Sequence, residues 1–218
     1  MAHDPTKARL LEAAGEEFAE KGFEGATIRS ISQRAGANLA AINYHFGDKE
    51  HLYEAALIHA HHCSKGAEDG PSFEGADPEE GLRRFIRNFL TNAIGLGRAR
   101  SWHDALMIRE PLEPTSASDS LVREAIRPHF DRLLGLLRAL CPGLEERRLH
   151  ALAFSVVGQC LHYKFARPIS VRLLGEEAYA RLDVDFLTDH IASFCLAALG
   201  LAPTLNARPE AVIERVTD

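Results

Sequence analysis

The sequence predicts an all-α fold in two parts, a small N-terminal three-helix module followed by a larger helical domain. Three observations predict it. Apolar residues recur at spacings of three and four along almost the whole chain. No apolar–polar alternation of the β type persists, and no internal repeat or low-complexity tract interrupts the pattern. The stretch Thr27–Lys49, TIRSISQRAGANLAAINYHFGDK, reads as two short helices about a glycine turn. A length of 218 residues suits one small module plus one larger domain. The expected divisions are 1–52, 53–202 and a C-terminal tail at 203–218.

Leu10, Leu11, Ala14 and Phe18 mark a first helix that Gly22 ends, with Phe23 folding back onto the small core. Thr27 is an N-cap, its oxygen suited to accept from a first-turn N–H. Ile28, Ile31 and Ala35 form a narrow stripe, and Gly36 stops that helix because glycine tolerates left-handed geometry. Asn38 caps again, Leu39–His45 makes about two turns, and Asp48 caps a fourth helix carrying Leu52, Ala56 and Leu57. That helix fades through His61, His62 and Cys63 into a loop at Gly66–Gly75. Two short helices about a glycine turn are the shape that sets the second helix into the major groove of DNA.

Asp77-Pro78-Glu79-Glu80 opens the next helix, with Asp77 as cap, Pro78 in the first position and Glu80 placed for a capping box. Leu82, Phe85, Ile86, Phe89, Leu90, Ala93 and Ile94 keep a one-sided rhythm. Trp102, Ala105, Leu106 and Arg109 belong to a shorter helix ended by Pro111 and Pro114. A further helix from Ser118 or Asp119 to Leu140 should kink at Pro128, which lacks a donor and crowds the preceding turn. The last two long helices, Leu149–Phe165 and Val184–Leu199, are apolar on more than one face. The second face needs a partner, so this pair is expected to meet its copy across a two-fold axis as a four-helix bundle. The candidate interface is Phe154, Val157, Gly158, Leu161, Phe186, His190, Phe194 and Ala197. A wide monomer core is the alternative. The tail is read as a loop with a short helical piece.

The net charge of −6 argues against a generally adhesive nucleic-acid binder, and the first fifty residues carry six basic against eight acidic groups. Within Thr27–Lys49, Arg29, Arg34 and Lys49 face only Asp48. Affinity for DNA would therefore depend on geometry and on two copies, not on a broad positive field. Cys63, Cys141, Cys160 and Cys195 form no C-x-x-C pair, and most sit in apolar helical contexts, as reduced core residues do. No signal-like segment opens the sequence, and no apolar run reaches the roughly 20 residues a bilayer needs. The expected location is cytoplasmic.

ARLLEAAGEEFAEKGFEGAT (Ala8–Thr27), the Ile31–Gly36 segment, Tyr44-His45-Phe46 and Asp48-Lys49-Glu50-His51-Leu52 together resemble the DNA-binding domain of the TetR family of bacterial repressors. From Arg109 onward, REPLEPTSASDSLVREAIRPHF and SVVGQCLHYKFARP resemble the ligand-binding half of the CecR-like branch. The resemblance implies a ligand-responsive homodimeric repressor that binds a near-palindromic operator and is released by a small-molecule effector. It implies phosphate contacts at Thr27 and Lys49, backbone contacts at Tyr44 and His45, and base contacts from Asn38, Leu39, Ala40, Ala41 and Asn43. Arg29, from the preceding helix, is a further candidate for a guanine. Leu39-Ala40-Ala41 departs from many relatives, offering apolar contacts suited to thymine methyls. Tyr44 is equally suited to closing the small core, and Phe46 is assigned to that core.

The same resemblance places an effector pocket among the middle helices. Candidate lining residues are Phe89, Trp102, Leu106, Met107, Arg109, Phe130, Gln159, His162 and Tyr163. Apolar side chains with a few polar groups fit a small-molecule site. Arg109 and His162 would need partners if buried, either an effector or, for Arg109, Glu110 or Glu113. His59, His62 and Cys63 share a helix face with metal-ligand chemistry, but a closed zinc site needs a fourth ligand that no neighbour supplies. No metal, cofactor or catalytic residue is expected. Two other readings remain: a metal-dependent helical enzyme using the His59–Cys63 region, and an interaction module that does not bind DNA. The enzyme reading lacks G-x-S-x-G, phosphate-loop, H-E-x-x-H and paired-cysteine patterns.

Overall fold

A computed structural model describes residues 4–63, 77–94 and 101–203, with the side chains of Cys63 and residues 92–94 left aside. Among the described residues there are helices and no strands. The expected Gly66–Gly75 loop and residues 204–218 of the tail lie outside them.

Asp4 caps α1 (Pro5–Gly25), accepting from Thr6 N at 2.9 Å. The helix breaks at Gly22, whose φ of 73° is a left-handed value that glycine adopts without Cβ strain. Phe23 then turns back to pack on Phe18 and Tyr53. α2 (Ile28–Ala35) and α3 (Leu39–Phe46) follow, and α4 (Lys49–Cys63) starts beneath Asp48, which accepts from His51 N at 2.9 Å.

The larger part contains α5 (Pro78–Ile94), α6 (Trp102–Leu112) and the short α7 (Ser118–Ser120). α8 (Arg127–Leu140), α9 (Glu146–Phe165), α10 (Arg167–Leu174), α11 (Glu176–Ala180) and α12 (Val184–Ala198) complete it. Three details depart from the sequence reading. Before Pro128 the chain forms a π-helical turn, Leu121–Ile126, in which Arg127 N–H reaches Val122 O five residues back. The missing proline donor is thus met by a wider turn. Pro111 lies inside α6, which runs one residue further, because the ring removes only its own donor. Glu80 pairs with Arg84 Nε at 3.0 Å, one turn along. α10 and α11 have no counterpart in the sequence reading, since neither carries a buried stripe: only Tyr179 in the pair is buried.

Among the described residues, two apolar cores organise the chain. The second joins α5, α8, α9 and α12 through Leu82, Ile86, Leu133, Leu137, Val156, Cys160, Ile191 and Cys195. Burial pushes the Cys160 thiol up to about 12, so it stays a protonated core residue. Ion pairs from Arg83 to Asp189 (3.1 Å) and from Arg87 to Asp185 line the α5–α12 seam.

The first core is the more telling. Phe18, Ile31, Ile42, Leu52, Tyr53 and Leu57 of α1–α4 share it with Leu106 of α6 and with Leu121 and Ala125 of the π turn. The small module therefore buries its apolar faces against the larger part as well as within itself. Glu110, only 2% exposed, seals the junction. Its Oε2 accepts from the Tyr53 hydroxyl at 2.8 Å. Its Oε1 accepts from Thr115 N and Thr115 Oγ1, both at 3.0 Å, and from Ser118 Oγ. A buried carboxylate is tolerable only with such a full set of donors. Burial is also the main reason the Tyr53 phenol is pushed up.

Glu110→Ala should leave four donors in an apolar junction and cost about 3 kcal/mol. Tyr53→Phe removes one of four donors and should cost about 1 kcal/mol. Urea unfolding of the two variants checks the ranking; equal losses would mean that Glu110 is not the hub.

Candidate nucleic-acid interface

The helix-turn-helix is built by local capping. Thr27 Oγ1 accepts from Ser30 N at 3.1 Å while Thr27 N donates to Ser30 Oγ at 3.2 Å, a reciprocal box at the start of α2. Gly36 ends α2 at φ 59°, and its N–H returns to the carbonyls of Gln33 and Ser32. Asn38 Oδ1 then accepts from Ala40 N at 3.0 Å and starts α3. Ile42 is the buried anchor of α3, so the opposite side is forced outward.

On that outer side lie Asn38, Leu39, Ala40, Asn43 and Tyr44, all exposed. Tyr44 is 85% exposed, which removes it from the core. Phe46 packs against the first core, as the sequence reading assigned it. Ala41 also leans on that core, at the flank of the outward surface. His45 is set back: its side chain is 12% exposed, and Nε2 lies 3.6 Å from Asp4 Oδ2. Thr27 and Arg29 are exposed at the start of α2. Lys49 is half-buried, its Nζ 4.5 Å from the centre of the Phe23 ring, in a cleft that also holds Glu24, Asp48 and Glu50. An exposed cation–π contact is worth about 0.5–1 kcal/mol, so the ammonium can leave it for a phosphate at small cost.

Charge is sparse here. Arg34, counted in sequence as part of a local positive patch, is committed elsewhere. Its guanidinium bridges Glu16 (3.1 Å), Glu17 (3.1 Å) and Glu20 (2.6 Å) of α1. These partners raise the Arg34 pKa, led by the hydrogen bond to Glu20. Glu17 is held below its ordinary value first by Lys21, and Glu20 by Arg34. The latch ties α2 to α1 and so fixes the angle at which α3 is presented. Sequence reasoning missed it, although Glu16 and Glu20 are one helical turn apart on α1, a spacing that could have pointed to a receptor for a cation. The outer surface of α3 itself is uncharged. Asn38 spends its oxygen on the cap, leaving its NH2 group as donor, while Asn43 keeps both amide ends outward.

The nine candidate effector residues are not brought together. Trp102, Leu106 and Met107 belong to the first core. Phe89, Phe130 and Tyr163 pack on the second. Gln159 Nε2 donates to Ser155 O at 3.3 Å and lies 3.6 Å from Cys195 Sγ. His162 is exposed beside Tyr163. Arg109 takes the intramolecular option: Nε meets Glu113 Oε2 at 3.2 Å, and Nη1 reaches the carbonyls of Phe18 and Ala19 at 3.5 Å, against the Gly22 break. A cleft of about 340 Å3 opens there, lined by Gly22, Phe23, Tyr53, Arg109, Glu113 and Thr115 among others. The histidine run at the end of α4 divides as well. His61 lies beside His62 and His129 with the rings tilted, whereas His59 lies with Glu12 and His103. Cys63 falls outside the described side chains. No described helix is long and apolar enough to cross a membrane.

A capped helix-turn-helix on an all-helical body, with an uncharged readout surface, defines a class: transcriptional regulators that meet DNA through one short helix. Residues 10–56 match the family described as bacterial regulatory proteins, tetR family, and residues 78–199 match the C-terminal domain of the HTH-type transcriptional dual regulator CecR. The chain belongs to the tetR family of bacterial regulators, with a C-terminal domain of the CecR type. The named relatives in that family are regulators of transcription. The dual regulator CecR of Shigella flexneri is 28% identical over 193 residues, covering 81% of this chain and 83% of that protein. The transcriptional repressor NicS of Pseudomonas putida is 37% identical over 83 residues, 38% of this chain, and the match spans only 39% of the length of NicS. A TetR-like regulator from Rhodococcus sp. RHA1 shares the fold, with a TM-score of 0.56 at 18% identity over 92% of this chain and 98% of that one.

Two predictions follow from this geometry. Lys49→Ala should weaken binding to all DNA sequences alike and reduce the salt slope by about 1, whereas Asn43→Ala should change the ranking of operator variants. Fluorescence anisotropy across salt and across operator variants separates the two. Because Glu17 and Glu20 have lowered values in the folded state, their stabilising effect is complete above the ordinary 4.5 and is lost as pH falls through the lowered values. Thermal melts from pH 7 to pH 3 should show wild type losing stability faster than Arg34→Ala; parallel curves would remove the latch from the account.

Proposed function

We propose that this regulator represses transcription as a homodimer on a near-palindromic operator, and that a small-molecule effector releases it. The observation that carries the DNA reading is Tyr44, 85% exposed on a two-turn helix whose other side is anchored by Ile42. A ring so exposed serves no packing purpose, whereas beside a duplex its hydroxyl meets a phosphate. Asn38, Leu39, Ala40, Ala41 and Asn43 meet base edges, and Thr27, Arg29 and Lys49 flank them at the backbone. The α2 and α4 N-termini add backbone donors for anions. His45 contributes from behind, steadying the end of α3 through Asp4.

One head of this kind gives little specificity. Two heads about 34–36 Å apart read successive major-groove faces. The pairing surface lies on α9 and α12, where Phe154, Phe186 and Phe194 are 65%, 52% and 49% exposed. Gly158 is exposed, while Val157, Leu161 and Ala197 are half-buried. We assign this surface to a four-helix contact with a second copy. A cytoplasmic location goes with the DNA partner. The effector site is kept on the Phe89–Phe130–Tyr163 side of the second core. The Trp102–Arg109 group is assigned to the junction that carries the response. An effector that favours one spacing of the heads shifts the population only through unequal affinity for the two states.

A gel-shift with DNA from the chain's own promoter region tests the reading. Specific retardation that weakens with salt supports it, and retardation of unrelated DNA with equal strength would sink it. Phe194→Glu should convert the dimer to monomer in analytical ultracentrifugation and lower operator affinity by on the order of 100-fold, the avidity of a second head. A monomeric variant that binds as well as wild type would exclude the two-headed mechanism.

A further inference from the structure

Glu12 of α1, His59 of α4 and His103 of α6 bring one ligand atom each within 4.8 Å of one another. These residues come from three helices, α1, α4 and α6, and none of them takes part in the proposed DNA contacts. Glu12 is already oriented. Its Oε2 accepts from the Trp102 indole N–H at 2.8 Å, and its Oε1 stands 3.6 Å from His59 Nε2. Trp102 lies so close to α1 that a Cβ on Gly15 would come within 2.3 Å of the ring, so the absence of a side chain there is what admits the indole. The His59 and His103 rings are 5.7 Å apart, and Trp102 stacks on His103 at 3.7 Å.

His103 Nε2 is buried with no hydrogen-bond partner among the described residues. A buried ring nitrogen left in that state carries a desolvation cost that a ligand would offset. Two imidazoles and a carboxylate are the donor set of an open zinc site, in which three protein groups leave a fourth position for solvent or a small ligand. Around tetrahedral zinc, bonds of about 2.0–2.2 Å place the donor atoms roughly 3.4 Å apart. The Glu12–His59 separation already matches this, and small side-chain rotations close the rest. A carboxylate held by an indole N–H is the kind of outer support that metal sites use to orient a ligand.

The geometry points to a binding site for a borderline divalent cation, with Zn2+ the best fit, made by Glu12, His59 and His103 and clamping the start of α6 onto α1 and α4. Occupancy stiffens the junction on which Glu110 and Arg109 also act, so the cation regulates how α6 couples to the DNA-binding heads. This regulatory consequence rests on the proposed function above, but occupancy itself does not.

The test starts from full-length protein stripped of metal with a chelator. Competition of Zn2+ against a chromophoric chelator should show one ion per chain. Affinity should fall at least 100-fold in His103→Ala and in His59→Gln, and 10- to 100-fold in Trp102→Phe, the outer-support change. His61→Ala/His62→Ala should bind as wild type. Far-ultraviolet circular dichroism of each stripped variant confirms folding, and His103→Gln replaces His103→Ala if the latter does not fold. Absence of stoichiometric zinc, or equal affinity in wild type and the His59 and His103 variants, overturns the site. Where an operator is in hand, zinc should change wild-type affinity at least 5-fold and leave His103→Ala unchanged. Tight zinc with no effect on DNA binding overturns the regulatory role alone. Failure to find any operator counts against the proposed function, with the titration still deciding the site.

Discussion

The docking of α6 into the α1–α4 module is the contact on which the rest of this structure depends. Leu106 completes the module's apolar core, Glu110 binds the Tyr53 hydroxyl of α4, and Arg109 rests on the broken end of α1. A module this small buries too little surface to be robust alone. It takes part of its stability from the larger domain, and that debt makes its orientation answerable to the larger domain. Regulation by a distant ligand needs a coupling of this sort, because a head that folded independently on a slack tether would not sense the body behind it.

The junction is polar as well as apolar, and the polarity has a purpose. An all-apolar seam tolerates sliding, whereas a buried carboxylate with four fixed donors accepts one geometry and penalises others. Glu110 thus defines a discrete resting position. The Arg34 latch acts on the other side of the module, fixing α2 against α1 through Glu16, Glu17 and Glu20. Between these two constraints α3 is held at a defined angle, with its uncharged residues outward. In the proposed function, sparse charge on this surface goes with a binder that relies on shape, base-edge contacts and duplication, not on general attraction to polyphosphate.

The short-range part of this architecture was legible in the sequence. Thr27, Gly36, Asn38 and Asp48 each act on residues two to four positions away, and each caps the helix its chemistry suggested. Leu82, Ile86 and Leu90 declare their buried face by spacing alone. The effector candidates were less legible. Trp102 and Phe89 look alike as aromatic residues on amphipathic helices, yet they pack on different cores. Arg34 counts toward the local positive charge of Thr27–Lys49 in the sequence because its carboxylate partners lie 14 to 18 positions earlier. His59 was grouped with His62 and Cys63 by periodicity, while its neighbours in space come from α1 and α6.

The amino-acid sequence by itself determined the helical class, the helix-turn-helix and its caps, and the identity of the residues on α3. These follow from backbone conformation and nearest-neighbour chemistry, which are written locally. Only the tertiary structure decided that Tyr44 points away while His45 turns inward, that Arg34 is spent on a latch, and that Glu110 ties Tyr53 to the 115–118 turn. Those outcomes depend on which helix faces meet and at what angle. That is a competition among many weak contacts over the whole chain, and no single stretch of residues encodes its result.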